Sequence, residues 1–218
     1  MSKPYSEQDL SDIFDRNLNW RRRELSDLKA AAKAADDASK AVFMRAIVAM
    51  SYAHWEGYVR ECAIRYFEYL AIRKRRYSDL ERQIYVNSFL VRLESLYQSR
   101  VSVEARCKLV NDILSSTDGT FRYVHPSLID TKSNLNTDVI KEICLVCSVD
   151  SSHFESKRVF LDQFLLKRRN AIAHGEQEFV DESEIDEFIS DVLGLMQQFR
   201  TLLENKIYQK HYAAVPLL

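Results

Sequence analysis

The chain has 218 residues, a length typical of one domain, and 46% of them are hydrophobic, which is enough for a substantial core. Its 31 Lys and Arg residues nearly balance 32 Asp and Glu residues, and the resulting net charge of −1 excludes a globally basic nucleic-acid binder. Any site for nucleic acid must therefore be a local patch. The scarcity of glycine (4) and proline (3) favours long helices.

The first residues of the chain are polar, and its apolar runs are shorter than the roughly 18–20 residues that cross a membrane. We therefore expect a cytoplasmic protein that makes no membrane contact. In such a compartment the four cysteines, Cys62, Cys107, Cys144 and Cys147, are expected to be free thiols rather than a disulfide framework.

Cys144 and Cys147 have the spacing of half a zinc site, and His153 follows six residues later. A structural zinc ion needs a second pair of ligands, whereas two small residues one helical turn apart among aliphatic neighbours fit a buried helix face. We therefore predict no metal and no cofactor.

Apolar residues recur at helical spacing in the first half of the chain. Four helices are predicted there, over about Glu7–Ala35, Ser39–Arg76, Asp79–Gln98 and Val103–Leu114. Asp36 and Asp37 can break the first helix or cap the second. The second helix carries two apolar stripes, one of Val42, Ala46, Ala49 and Ala53 and one of Phe43, Ile47, Met50 and His54. Their small residues permit the close approach of another helix.

The second half begins irregularly, since residues 115–135 indicate a loop, with a short strand pair as an alternative. Asn136 or Thr137 can cap a helix that runs through Val146, and a longer helix is predicted from Phe154 to Ala173, with Gly175 as its stop. The last helix has the clearest pattern. Its apolar face consists of Ile185, Phe188, Ile189, Val192, Met196, Phe199 and Leu203, behind an acidic cap at residues 181–184.

These elements predict an all-α fold, an antiparallel helical bundle that occupies residues 1–218 as a single domain. The two long N-terminal helices form one hairpin and the two C-terminal helices form another. Residues 77–150 are expected to insert between the hairpins as a shorter helical segment. The short loop of about residues 175–182 makes the last two helices antiparallel neighbours.

The segment Lys167–Gly175 contains the most distinctive chemistry of the chain. Arg169, Asn170 and His174 place a guanidinium, an amide and an imidazole within six residues, and these groups can hold a phosphate, orient it and move a proton near neutral pH. A structural alternative remains, because cations at a helix C-terminus interact favourably with its dipole and Gly175 simply ends the helix.

The spacing also bears on how such a site would be assembled. Asn170 and His174 are four residues apart and share a helix face, whereas Arg169 and His174 differ by about 140° on an ideal helix. They could meet at one phosphate if the last turn unwinds near Gly175, or if two copies of the helix meet across a two-fold axis. The second arrangement is the hypothesis of a dimeric site.

The stretch Arg169-Asn170-Ala171-Ile172-Ala173-His174 resembles the R-x4–6-H signature of the HEPN superfamily, including the polar residue after the Arg. Its position is also similar, at the end of the penultimate long helix and before a short acidic loop and a final amphipathic helix. A second segment, Tyr52–Tyr58, resembles stand-alone bacterial HEPN proteins encoded near restriction-modification and other defence genes.

The resemblance implies a metal-independent endoribonuclease that acts as a homodimer, as a toxin or an anti-phage defence effector. His174 would be the general base or acid for attack of the RNA 2′-hydroxyl on the adjacent phosphate, Arg169 would stabilise the transition-state charge, and Asn170 would orient either group. The products would be a 2′,3′-cyclic phosphate and a 5′-hydroxyl. Lys167 and Arg168 are candidates for contact with RNA phosphates, and an antitoxin or nucleotidyltransferase is a candidate partner.

Two other classes of function stay open. One is a non-catalytic HEPN-like module for dimerisation or nucleotide binding within a defence or toxin–antitoxin complex, and the other is a purely structural helical partner. Glu56 is a candidate for supporting the site from behind, although it could instead pair with Arg60 one turn away. Two basic blocks, residues 21–23 and 73–76, could follow an RNA backbone or be solvated helix ends. Tyr77 and Tyr85 are candidates for base stacking.

Overall fold

The computed structural model describes residues 3–98 and 102–213, and within these ranges the chain forms helices and turns but no strand. The α-helices are α1 (Glu7–Ala34), α2 (Asp37–Ile72), α3 (Arg82–Gln98), α4 (Val103–Ser115), α5 (Thr137–Cys147), α6 (Ser152–Ser156), α7 (Arg168–Ala173) and α8 (Ile185–Tyr208). A π-helical segment, Phe160–Lys167, leads directly into α7. The predicted all-α fold is confirmed. In place of a strand pair, residues 115–135 contain two 3-10 turns and an isolated bridge from Thr120 to Arg76.

Several helix ends form at the residues that the sequence indicates. The side chains of Asp36 and Asn136 accept hydrogen bonds from backbone N–H groups in the first turns of α2 and α5, as expected of N-caps. The α2 helix ends at Ile72, earlier than predicted. Lys74, two residues on, has a left-handed backbone with φ of 49°, a conformation that a right-handed helix cannot continue through.

The prediction of one continuous helix from Phe154 to Ala173 was wrong. The chain turns at Lys157 after the short α6, and the helix then continues with the wider turns of a π-helix before it becomes α-helical at Arg168. Because π-helices are rare, apolar residues at near-helical spacing predict an α-helix by default.

Helix α1 runs antiparallel to two neighbours, α2 and α8. Arg73, just after α2, donates a hydrogen bond to the Tyr5 carbonyl just before α1. Asp15 near the start of α1 forms an ion pair with Arg200 near the end of α8. These contacts place α1 antiparallel to both α2 and α8, and the first pair is the predicted N-terminal hairpin.

Aromatic contacts fix the direction of the chain between α6 and α7 relative to α8. The ring of Phe154 lies 6.2 Å from that of Phe199, and the ring of Phe160 lies 5.7 Å from that of Phe188. The residue numbers rise on one side as they fall on the other, so the two elements are antiparallel, as predicted. Trp55 of α2 also contacts Phe154, which joins the two hairpins in one core.

The central element of the core is α2. Its largest fully buried side chains are Trp55, Tyr58, Tyr66 and Tyr69. Of the two predicted apolar stripes, the one that contains Ile47 and His54 is largely buried, whereas Val42 of the other is 67% exposed and Ala53 is exposed as well. Periodicity shows which residues share a helix face, but burial is decided by the larger side chains, because they remove more apolar area from water.

Residues 77–150 pack against one side of this core rather than standing apart from it. Asn87 of α3 donates a buried hydrogen bond to the Val146 carbonyl of α5. Ile140 and Cys144 of α5 and Ile84 of α3 join the same hydrophobic cluster as α2 and α8.

The hydropathy of the helices shows whether any of them could cross a membrane. In the described part of the chain, none of the helices has an apolar stretch of the length needed to cross a bilayer.

The position of Phe154 in the core generates a test of the fold. Phe154 is fully buried among Trp55, Phe199 and His153, so Phe154→Ala should lower the free energy of unfolding by about 3–5 kcal/mol through lost apolar burial and the cavity left behind. The same substitution at Phe179, which is 82% exposed, is the matched control and should change it by less than about 0.5 kcal/mol. Urea denaturation followed by circular dichroism measures both. Equal effects would contradict the packing described.

Candidate active site around α7

The end of α7 is closed by a Schellman motif centred on Gly175. The Gly175 N–H donates to the Ile172 carbonyl at 3.1 Å, and the Glu176 N–H donates to the Ala171 carbonyl at 2.9 Å. Gly175 has φ of 81°, a conformation that favours glycine, so the predicted helix stop is confirmed. His174 is thus the first residue beyond the helix, and its side chain is exposed.

Arg169 is anchored both to α2 and to a neighbouring loop. Its guanidinium carbon lies 3.8 Å from the centre of the Tyr52 ring, a close cation–π contact with α2. One terminal nitrogen donates a 2.7 Å hydrogen bond to the Ser133 carbonyl. The third group, Nε–H, is buried and has no hydrogen-bond partner among the described residues. The guanidinium is therefore oriented on two sides and keeps a donor without a partner, as do Trp55 Nε1 and the Tyr58 hydroxyl among the described residues, and the Arg169 donor differs from these in belonging to a charged group.

The loop that supplies the Ser133 carbonyl is itself tied to α2 at two points. Thr131 donates a hydrogen bond to the carboxylate of Glu56, and the Leu135 N–H donates to the Tyr52 hydroxyl at 2.6 Å. Lys132 and Ser133 between them both have left-handed backbones, with φ of 54° and 50°. We call residues 130–136 the clasp, because the Ser133 carbonyl of this loop accepts a hydrogen bond from the Arg169 guanidinium.

The clasp gives Glu56 a definite position. Instead of pairing with Arg60, its carboxylate accepts from Thr131 and so holds the loop whose carbonyl contacts Arg169. The sequence did not single out Tyr52 or the clasp residues. Tyr52 and Glu56 are four residues apart on one face of α2, and that spacing is the sequence feature that could have indicated a shared role for them. Burial raises the pKa of Tyr52 above its ordinary value, so its hydroxyl stays neutral beside the Arg169 cation.

Asn170 and His174 are arranged differently from Arg169. The Asn170 carbonyl accepts the His174 N–H at 2.9 Å, which keeps the two residues on one side of the helix end. Within the described ranges, neither the Asn170 amide nor the His174 imidazole takes part in a hydrogen bond or an ion pair. The structure therefore joins Arg169 to α2 and the clasp, and leaves the other two groups available to a ligand or a second molecule.

A family model described as RiboL-PSP-HEPN matches residues 16–205, which covers most of the chain. The chain belongs to this HEPN family. Membership makes it a HEPN domain of ribonuclease or nucleotide-binding type, and HEPN domains act on RNA in many cases. No curated protein and no solved structure matches the chain significantly.

The two cations that precede Arg169, Lys167 and Arg168, differ in their surroundings. Arg168 pairs with Glu178 at 3.0 Å and Glu184 at 3.6 Å and donates to the Phe179 carbonyl, so it ties the loop after α7 to the helix. Lys167 is exposed, and no acidic partner is found for it in the described residues. Both line a surface cavity of about 510 Å³.

Two neighbours of Tyr52 and Glu56 on α2, His54 and Trp55, belong to the core. Trp55 is fully buried. His54 is 3% exposed, and its Nε2 lies 2.9 Å from the Glu24 carboxylate of α1. The edge of Trp20 also contacts the His54 ring. His54 thus faces α1 and stabilises the hairpin, in agreement with its place on an apolar stripe of the predicted second helix.

The cysteine pair of α5 likewise points inward. Cys144 and Cys147 are buried, and burial raises the pKa of the Cys144 thiol to about 12. Over the described residues, His, Cys, Asp and Glu side chains do not gather in a group of three that could hold a metal ion.

The buried His54 predicts a pH dependence of stability. Burial, with a contribution from Arg21, lowers the pKa of His54 below its ordinary 6.5, although Glu24 opposes the shift. Below pH 6.5 His54 therefore binds a proton in the unfolded state but not in the folded state. The free energy of unfolding consequently falls as the pH falls from 6.5 towards the lower pKa of the folded state. We expect His54→Gln to show a smaller fall over this window, measured by urea denaturation at several pH values. The exposed His211→Gln is the control and should follow the wild type. Identical curves for all three proteins would contradict the assignment.

Proposed function

We propose that this HEPN protein is a metal-independent endoribonuclease that acts as a homodimer through the α7 segment. One observation carries the proposal. Arg169 is oriented by the Tyr52 ring and the Ser133 carbonyl, yet it keeps a buried donor without a partner, beside an amide and an imidazole without partners in the described residues. A phosphodiester is a ligand that could use all three groups.

The proposed reaction needs no group beyond the protein and its substrate. His174 accepts the proton of the RNA 2′-hydroxyl, and the oxygen attacks the adjacent phosphorus. Arg169 stabilises the negative charge that accumulates on the phosphate oxygens, while Asn170 orients the imidazole or the phosphate. The bond to the 5′-oxygen then breaks, and that oxygen takes a proton from an imidazolium. The products are a 2′,3′-cyclic phosphate and a 5′-hydroxyl.

The contacts of Arg169 are compatible with a change of partner on substrate binding. The Ser133 carbonyl is a neutral acceptor, whereas a phosphate oxygen is charged, and charge-assisted hydrogen bonds are roughly twice as strong as neutral ones. A phosphate that approached Arg169 could therefore compete with the clasp and also satisfy Nε–H. The cation–π contact with Tyr52 would keep the guanidinium in place during the exchange.

A second copy is supported by the different surroundings of Arg169 and His174. Arg169 is held against Tyr52 of α2, whereas His174 is exposed beyond the helix end, so two α7 segments related by a two-fold axis would bring the Arg169 of one chain and the His174 of the other to one phosphate in a shared cleft. A single imidazole can take the proton of the 2′-hydroxyl and then, as the imidazolium, give a proton to the leaving 5′-oxygen. Lys167 would add a phosphate contact at the edge of this cleft, and Arg168 would do so only if its ion pairs opened.

Such an activity fits a toxin or an anti-phage effector that acts on cytoplasmic RNA. A ribonuclease that needs no metal is active wherever RNA is present, so its host requires a means of restraint. An antitoxin or a nucleotidyltransferase is the class of partner that would supply it. We also propose that the chain works as one HEPN-like unit, with residues 77–150 as an elaboration.

Nucleotide binding without cleavage is the second candidate, and the cavity beside α7 favours it. The half-exposed ring of Phe164 and the exposed ring of Phe179 flank this space, where an adenine could stack, and Lys167 lies on its wall. The same wall, however, carries the carboxylates of Glu176, Asp181 and Glu184, which would repel the phosphates of a nucleotide. Ribonuclease activity is therefore the better supported function.

The decisive experiment compares wild type with Arg169→Ala and His174→Ala on total RNA in excess EDTA. We expect EDTA-resistant cleavage with cyclic-phosphate ends, reduced by about 100- to 10,000-fold in His174→Ala, the usual contribution of a general acid–base group. His211→Ala, an exposed histidine outside the motif, is the matched control and should keep full activity. Nucleotide binding by all four proteins without cleavage would instead favour the second candidate.

A mixing experiment tests the shared cleft. If each chain lends groups to one site, equimolar Arg169→Ala and His174→Ala should regain part of the wild-type activity on mixing, since heterodimers contain one intact copy of each group. Sedimentation should show that all samples are dimeric. Inactive mixtures of well-folded dimers would assign a complete site to each chain.

A further inference from the structure

A second cluster of cations lies far from α7, at the opposite end of α2. Lys74, Arg75 and Arg76 follow the end of this helix, and Arg122 comes from a segment almost fifty residues later in the chain. The Phe121 N–H donates to the Arg75 carbonyl at 2.9 Å, the Tyr77 N–H donates to the Gly119 carbonyl at 2.8 Å, and Arg76 pairs with Thr120 in an antiparallel bridge. This register places Arg122 next to residues 74 and 75. We call Lys74, Arg75, Arg76 and Arg122 the basic cluster.

The four side chains of the basic cluster are exposed, and none of them has an acidic partner within the described residues. Elsewhere the chain pairs many of its cations, for example Lys29 with Asp186, Lys132 with Glu142 and Arg158 with Asp138. The nearest exposed carboxylates along the chain are Asp79 and Asp118, which reduce the local charge without cancelling it. Four unpaired cations in one place are notable in a chain whose net charge is −1.

A structural explanation covers only part of the basic cluster. Positive charge is favourable at a helix C-terminus, which accounts for Lys74, Arg75 and Arg76 after α2. It does not account for Arg122, which follows no α-helix and reaches the cluster only through the bridge. Nor does it account for Lys74 in a left-handed conformation, where glycine would be less strained.

A groove beside the basic cluster adds a surface for aromatic rings. Its volume is about 270 Å³, and its walls include Phe67, Ala71, Pro126, Arg122 and Tyr123. Tyr123 is 67% exposed, so its ring is available for stacking. The one carboxylate of the groove, Glu68, already pairs with Arg65. Cations next to an exposed aromatic ring and an apolar groove are the combination that binds single-stranded nucleic acid, through phosphates and unstacked bases.

We propose that the basic cluster and this groove form a second binding site for single-stranded RNA, distant from α7, in which the cations hold phosphates and a base stacks on Tyr123. The inference rests on the proposed ribonuclease function for the identity of the ligand. The tyrosines suggested by the sequence do not serve this purpose, because Tyr77 and Tyr85 pack edge-to-face at 5.3 Å and are partly buried.

The distance between the two sites determines what the second one would do. Arg169 stacks on Tyr52, and a helical rise of about 1.5 Å per residue places Ile72, at the end of α2, about 30 Å from Tyr52. An RNA strand that engages both sites must span this length, so the basic cluster would favour long single-stranded substrates over short or folded ones. The basic cluster would also attract the RNA phosphates, which the acidic loop after α7 repels.

The test measures binding separately from cleavage. A fluorescent single-stranded RNA of about 20 nucleotides is titrated by anisotropy against the His174→Ala protein, with and without Arg75→Gln/Arg76→Gln, over a range of salt concentrations. The double substitution should raise Kd about tenfold or more and lower the slope of log K against log salt by up to about 1.4, since each lost phosphate contact removes about 0.7 for a single strand. Arg122→Gln should weaken binding in the same direction, and Tyr123→Ser should raise Kd about fivefold or more.

Arg22→Gln/Arg23→Gln is the matched control, because it removes the same two charges from exposed positions of α1. The proposal is overturned if this control weakens binding as much as the cluster variant, if Tyr123→Ser has no effect, or if duplex RNA of equal length binds as tightly as the single strand. The two proposals can fail separately. Specific binding without any cleavage by the wild type would contradict the ribonuclease function and leave the RNA site. Cleavage that the cluster substitutions do not affect would contradict the RNA site and leave the ribonuclease function.

Discussion

The burial of α2 is the constraint on which the other features depend. This helix of 36 residues is enclosed by α1, α8 and the segment from α6 to α7, and its tyrosines and tryptophan fill the space between them. Because interiors are closely packed, a residue on α2 has a defined neighbour on each side. Tyr52 and Glu56 gain defined partners in this way, since α2 presents them to α7 and the clasp while their neighbours Trp55 and Tyr58 hold the helix in the core.

The same helix would separate the two proposed sites, one for binding and one for cleavage. One part of α2 supports Arg169, and its far end leads into the basic cluster, so a single rigid element sets the distance between them. The charges are distributed unevenly along this axis. Residues 176–199, which follow the HEPN motif, contain eight carboxylates and no Lys or Arg, whereas cations gather beyond Ile72. Long-range attraction of a polyanion would therefore act at the end opposite to α7, and a strand held there would be guided towards the motif.

Local features of the fold could be predicted from the sequence, whereas tertiary contacts could not. The helices, the caps at Asp36 and Asn136 and the stop at Gly175 depend on neighbouring residues, and the sequence predicted them. The contact of Arg169 with Tyr52 and Ser133 joins three segments of the chain, and no local pattern encodes such a meeting. The π-helical segment and the exposed stripe of Val42 and Ala53 were missed for a related reason, since both keep a helical periodicity.

The unsatisfied Nε–H of Arg169 gives a physical reason to regard α7 as more than a helix end. A buried donor without a partner costs about 1–3 kcal/mol, and the left-handed residues of the clasp add strain to the same place. A leucine or methionine that packs on Tyr52 at this position would avoid the cost. A ligand that supplies the missing acceptor would recover the cost as binding energy, and departures from locally favourable structure are expected where a protein binds or reacts. The same reasoning predicts that Arg169→Met keeps or raises the free energy of unfolding while it abolishes phosphate binding, because the apolar side chain leaves no buried donor.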